Sequence, residues 1–177
     1  MVFHSSKEKL IFYNIPIILF SLIPFFLITG PFLTDLSISL IGLFFLIYCF
    51  KKKNFSYFKN YYFYFFLIFW GYLILNTLIN NFNLDSLRIS FFYFRYGVFV
   101  IAVVALLYFD SKFINYFFFC ILTCFVFLIC DGFYEYFVEK ESTRVSSLFG
   151  KEKILGSYMS RLWPIFFGLA ILIPSNS

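Results

Sequence analysis

This chain has little charge. Asp, Glu, Lys and Arg together make up 13% of it, and its one histidine, His4, stands in the N-terminal tail. Soluble domains use roughly a quarter charged residues to cover their surface, so this scarcity excludes that class. A lone terminal histidine gives no support to histidine-dependent nucleophilic catalysis or to a histidine-rich metal site. Alternation of polar and apolar residues is missing as well, which excludes a porin-like barrel. No internal repeat and no linker divides the chain. The first apolar run is not a cleavable signal peptide, because it is long, contains Pro16 and Pro24, and lacks a small-residue cleavage site behind it.

Apolar residues are abundant instead, at 62% of the chain, with a mean hydropathy of +0.89. Runs of about 20 residues, enough to cross a bilayer, recur along its length. The expected fold is an all-α, polytopic transmembrane helical bundle in one membrane domain, 1–177. Its spans are expected at about 11–29, 33–50, 61–79, 90–109, 113–131 and 155–173. The prolines are expected to kink the first span, with neighbouring helices satisfying the freed carbonyls.

The 32 Phe and 14 Tyr are spread through every span, which marks a compositional bias rather than stacking platforms. Tyr61, Tyr62 and Trp163 stand at span ends, as interfacial anchors do. Cys49, Cys120, Cys124 and Cys130 all fall within or at the edge of spans. Cys120 and Cys124 share a helix face, but no histidine or carboxylate joins them, so they are taken as small apolar packing residues.

Basic residues set the expected orientation. Lys7 and Lys9 precede the first span, Lys51, Lys52, Lys53 and Lys59 follow the second, and Lys112 follows the fourth. By the positive-inside rule these positions and the N-terminus are expected inside, and loop 132–153 outside, which in a Gram-negative cell is the periplasm. The net charge of +5 is explained by these anchors and requires no nucleic-acid partner.

Four arginines are the candidates for chemistry. Arg144 lies in the outer loop, followed by Ser146, Ser147 and Gly150. Its guanidinium presents a planar fork suited to phosphate oxygens; pairing with Glu139 or Glu141 as a solvated loop charge is the competing account. Arg161 lies about two turns into the sixth span, where a charge costs about 3 kcal/mol. Ser157, Ser160, Arg161, Pro164 and Gly168 form a stripe expected to face protein or a water-filled cavity; helix packing with snorkelling to the interface is the alternative. Arg88 and Arg95, seven residues apart, would stack on one face of a helix capped near Asp85, about 10 Å apart along the axis. Cations converging at one interface would make a pocket for a pyrophosphate or similar headgroup. Asp131, Glu135 and Glu139 recur every four residues, either as general-base candidates or as partners for the arginines. They do not form the carboxylate pair across a sugar cleft that glycosidases use.

The run Arg144-Val-Ser-Ser-Leu-Phe-Gly, with Leu155-Gly-Ser-Tyr158 and Arg161-Leu-Trp-Pro164 behind it, resembles the O-antigen ligase and O-antigen polymerase family. There, an Arg-x-Ser/Thr-Gly/Ser-x-Phe-Gly run leaves a periplasmic loop and enters a helix through a small-residue turn. The match in motif covers about residues 142–164, and the pattern of short-looped spans is similar to the family's N-terminal half. The resemblance implies an inner-membrane glycosyltransferase needing no metal or other cofactor. Its partners would be an undecaprenyl pyrophosphate-linked glycan, an acceptor glycan or lipid A-core, and the bilayer. The leaving pyrophosphate would be held by Arg144 and Arg161 first, then by Arg88 and Arg95.

Two departures stand out: Lys151-Glu152-Lys153 replaces the family's turn after Phe-Gly, and the family's second large periplasmic loop with its arginine and histidine is missing. The chain is therefore expected to be the N-terminal part of a longer protein, inactive by itself. The rival expectation is a non-enzymatic membrane protein, such as a transporter component or assembly subunit.

Overall fold

In the computed structural model, residues 10–80, 83–110, 113–139 and 155–172 are described, and all the regular structure among them is helical. The helices are α1 (Ile15–Thr29), α2 (Pro31–Lys52), α3 (Tyr61–Asn80), α4 (Leu84–Phe92), α5 (Phe94–Phe109), α6 (Phe113–Tyr134) and α7 (Leu155–Leu172). A π-helical turn, Leu10–Asn14, leads into α1, and another, Glu135–Glu139, extends α6. Five stretches are long and apolar enough to cross a membrane: Ile11–Thr29, Pro31–Lys52, Tyr61–Asn80, Leu84–Phe109 and Phe113–Phe137. With α7, 18 residues long, they make an all-α polytopic bundle.

Local sequence explains the helix ends. Gly30 adopts φ +129°, which a side chain would strain. Its N–H closes α1 on the Phe26 carbonyl at 3.2 Å, and Pro31 then starts α2, where a missing N–H costs nothing. Asn83 caps α4 by accepting the Asp85 N–H at 3.3 Å, so this helix begins well before the apolar run at 90. Only a tightened turn at Tyr93 separates α4 from α5, with the Tyr96 N–H on the Tyr93 carbonyl at 3.1 Å. Helix α6 runs through Tyr134 into its π-helical turn, replacing the first residues of the expected outer loop. Phe133, Tyr134, Tyr136 and Phe137 there are apolar enough to extend the span.

The chain divides into two compact units. The first comprises residues 1–17 and 35–110, the second 18–34 and 111–177. In the first, Ile41, Phe45 and Cys49 of α2 are buried, as are Val98, Ala102 and Leu106 of α5. Helix α3 meets α5 at Gly97, where a Cβ would overlap the Phe66 ring. Small residues allow this close approach of helices in lipid. Polar side chains tie α3 to α4: Trp70 Nε1 donates to the Ser90 carbonyl at 3.0 Å, and the Thr77 and Ser90 hydroxyls lie 2.7 Å apart.

In the second unit, Phe20 of α1 packs edge-on to Phe113 of α6 at 5.5 Å and lies 4.6 Å from Phe117. Helix α7 joins them through Phe166, stacked on Phe118 at 5.2 Å. Tyr158 donates its hydroxyl proton to the Pro24 carbonyl at 2.5 Å and lies 3.4 Å from Cys124 Sγ. Cys49 and Cys124 are buried, matching the packing role expected of them, whereas Cys130 is exposed.

Many large apolar side chains are exposed among the described residues. No residue of α3 is buried, and its Phe65, Ile68 and Ile79 are each more than 70% exposed. A soluble fold does not leave so much contiguous apolar surface in water; in a bilayer it is the face that lipid wets.

Candidate functional site

The charged cluster of the first unit is built where α2 and α5 begin. Arg95, in the first turn of α5, lies about 16 Å along the helix pair from Leu84 by helix rise, so it belongs to the body of that span. Its Nη2 is 2.8 Å from Asp35 Oδ2. The same Nη2 donates to the Tyr96 hydroxyl at 3.1 Å, and that hydroxyl donates to Asp35 Oδ1 at 3.1 Å. The guanidinium also stacks 4.9 Å from the Tyr96 ring centroid. Its Nε is buried without a hydrogen-bond partner, so Arg95 is held through one edge only. Both side chains of the ion pair stay partly exposed, 31% and 42%, and neither is sealed in the core.

Arg88, one exposed turn from the end of α4, lies 5.7 Å over the Phe92 ring. Despite the interruption at Tyr93, Arg88 and Arg95 line one cleft of about 390 Å3 walled by Phe92, Tyr93 and Tyr96. A second, apolar space of about 330 Å3 starts at Arg95 and continues along Gly42, Leu43, Leu46 and Val98. Arg95 lines both. A cationic cleft thus adjoins a groove suited to a hydrocarbon chain, with Arg95 between them.

The other end of this unit carries the lysines. Lys51 and Lys52 close α2, and Lys59 follows in the connection to α3. Tyr57 of that connection packs edge-on to Phe45 and Phe109, and burial pushes its phenol above the ordinary tyrosine range. Helix α5 runs from Arg95 toward this end, so the lysine cluster and the arginine pair occupy opposite ends of the same unit.

Arg161 stands in the second unit, exposed on α7. Ser157, Ser160, Pro164 and Gly168 of its stripe are exposed too. That stripe, expected to face protein or a water-filled cavity, is not the face that binds α7 to its neighbours, which is carried by Tyr158 and Phe166. Arg144 and the Phe-Gly run lie outside the described residues, as does most of loop 132–153. Glu135 is buried and Asp131 partly so; both are engaged in interactions.

The sequence pointed to Arg88 and Arg95 but missed Asp35 and Tyr96. A signal for Asp35 was present, since it is the one carboxylate in an otherwise uncharged part of the second apolar run. An intramembrane charge asks for a partner of opposite sign.

Fold and surface together define a multi-pass α-helical membrane protein. The chain matches no family model, no curated protein and no solved structure.

Proposed function

We propose that this protein works in cell-surface polysaccharide assembly in a bacterial inner membrane. In this reading it binds a glycan carried on undecaprenyl pyrophosphate at the periplasmic face, in the manner of an O-antigen polymerase or ligase. The observation that carries the reading is the cleft shared by Arg88 and Arg95, with an apolar groove on Arg95 beside it. A polyprenyl pyrophosphate has the matching two parts, an anionic head and an apolar tail. Two guanidiniums would hold the pyrophosphate by charge-assisted hydrogen bonds and stabilise its developing charge as the glycan leaves. Arg144 and Arg161 take the same cationic role by resemblance to that family. An acceptor sugar, or lipid A-core in a ligase, would complete a metal-independent transfer.

The experiment is replacement of each arginine in the native gene, reading glycan chain length and attachment at the cell surface. Arg95→Gln and Arg144→Ala are expected to abolish polymer or ligation product at normal protein level, with poor rescue by lysine, which lacks the bidentate fork. Unchanged surface glycan in all the variants would remove the arginines from the mechanism.

A second reading has its own observation. Asp35 already neutralises part of the Arg95 charge, as in a structural ion pair of a transporter component or assembly subunit. In that case Asp35→Asn and Arg95→Gln would lower protein level together and leave the surviving protein fully functional.

A further inference from the structure

A larger space lies on the other side of Tyr96, between α3 and α5. It measures about 510 Å3, within the range of ligand-binding cavities. Its floor is one face of α5, where Gly97, Val100, Ile101, Val104 and Tyr108 follow one another at helical spacing from Tyr96. Phe63 and Phe66 of α3 form a wall. From Tyr96 to Tyr108 the groove is ~18 Å long by helix rise. Ser56, Lys59 and Asn60 line the end beside Tyr108, where the groove's one charged side chain stands.

Shape decides what can fill it. The groove is elongated and lined mostly by apolar side chains and aromatic rings, a form that a single extended hydrocarbon chain fills. Charge decides the rest: exposed Lys59 is at the mouth, and Lys51, Lys52 and Lys53 belong to the same end of the unit. Basic clusters beside a span attract anionic lipid headgroups.

We infer that this groove is a lipid site, holding one acyl chain of an anionic phospholipid with its headgroup phosphate against Lys59. It is separate from the arginine cleft, and Tyr96 forms the partition, lining both spaces. Its occupant comes from the leaflet at the lysine end and would brace α3, which otherwise has no buried residue, against α5.

The test reconstitutes the full chain in phosphatidylcholine vesicles containing phosphatidylglycerol with a photoreactive group in one acyl chain. After irradiation, labelled peptides are mapped by mass spectrometry. The expected labels fall on the Val100–Val104 stretch and on Phe63 and Phe66. Lys59→Glu should reduce them by more than about fivefold, since the reversal removes a lysine worth about that factor at an anionic surface and adds a repelling charge, at an exposed position. Val104→Trp, which fills the groove, should abolish them. A phosphatidylcholine analogue carrying the same photoreactive chain should label weakly and be indifferent to Lys59→Glu. Equal labelling by the two lipids, or labels unaffected by both variants, would overturn the proposal. So would cross-links to a second copy of the chain in place of lipid.

Discussion

Arg95 and Asp35, sixty residues apart in the chain, meet at 2.8 Å through Nη2 and Oδ2, with the Tyr96 hydroxyl bonded to both. This small network joins the first turns of α2 and α5 and fixes one edge of the guanidinium, and Arg95 also lines the cleft it shares with Arg88. The pair is half-exposed, so its contribution is that of a modest membrane-protein polar contact, averaging about 0.6 kcal/mol and reaching about 1.7 kcal/mol. A double-mutant cycle with Asp35→Asn and Arg95→Gln, followed by unfolding in mixed micelles, should give a coupling energy of that order. Additive effects would show that the two side chains do not interact.

Gly97 is predicted to tolerate no larger residue. A Cβ there meets the Phe66 ring, and overpacking of a well-packed contact costs roughly 1–3 kcal/mol. Gly97→Val should lower the thermal midpoint of the purified protein, and Phe66→Ala in the same chain should restore part of the loss. A wild-type midpoint for Gly97→Val would mean that α3 and α5 are not in contact there.

Tyr158→Phe should also destabilise, by about 1 kcal/mol, because it removes the hydroxyl that bonds the Pro24 carbonyl. The apolar ring stays, so the measurement isolates the hydrogen bond. Phe166→Ala removes ring contacts with Phe118, Phe125 and Trp163 and should cost more than Tyr158→Phe. The reverse order would contradict the packing of α7 described here.

Orientation is open to a labelling experiment. With the four native cysteines replaced, cysteines at Ser56 and Ser142 should react with an impermeant maleimide from opposite sides of the membrane, Ser56 from the cytoplasm. Reaction of both from one side would reverse or break the proposed topology.

Much of the fold was legible in the sequence because lipid imposes one simple demand, that about 20 successive residues be apolar and hydrogen-bonded within a helix. Boundaries were harder. The expected span opened at 90, where the apolar run starts, but the helix begins at Leu84 on its Asn83 cap, close to the cap expected near Asp85. Phe133 to Phe137 similarly carry α6 past the expected end at 131, despite Asp131 and Glu135. Arg88 and Arg95 were legible as a pair because helical spacing alone places them on one side. Their relation to Asp35 was not, since periodicity within a helix does not reveal which other helix it touches. Which face of α7 packs was not legible for the same reason: Tyr158 and Phe166, beside the more polar stripe containing Arg161, carry the contacts.

The central claim is that Arg88 and Arg95 hold the pyrophosphate of a polyprenyl lipid. Its most direct test is native mass spectrometry of the purified chain, released from nanodiscs loaded with either undecaprenyl pyrophosphate or uncharged undecaprenol. The account predicts retained pyrophosphate lipid, a loss of about tenfold or more on Arg88→Gln or Arg95→Gln, as expected for a hydrogen bond to a charged group, and undecaprenol retention that the variants leave unchanged. Equal retention of the two lipids, or pyrophosphate binding that survives removal of both arginines, would contradict it.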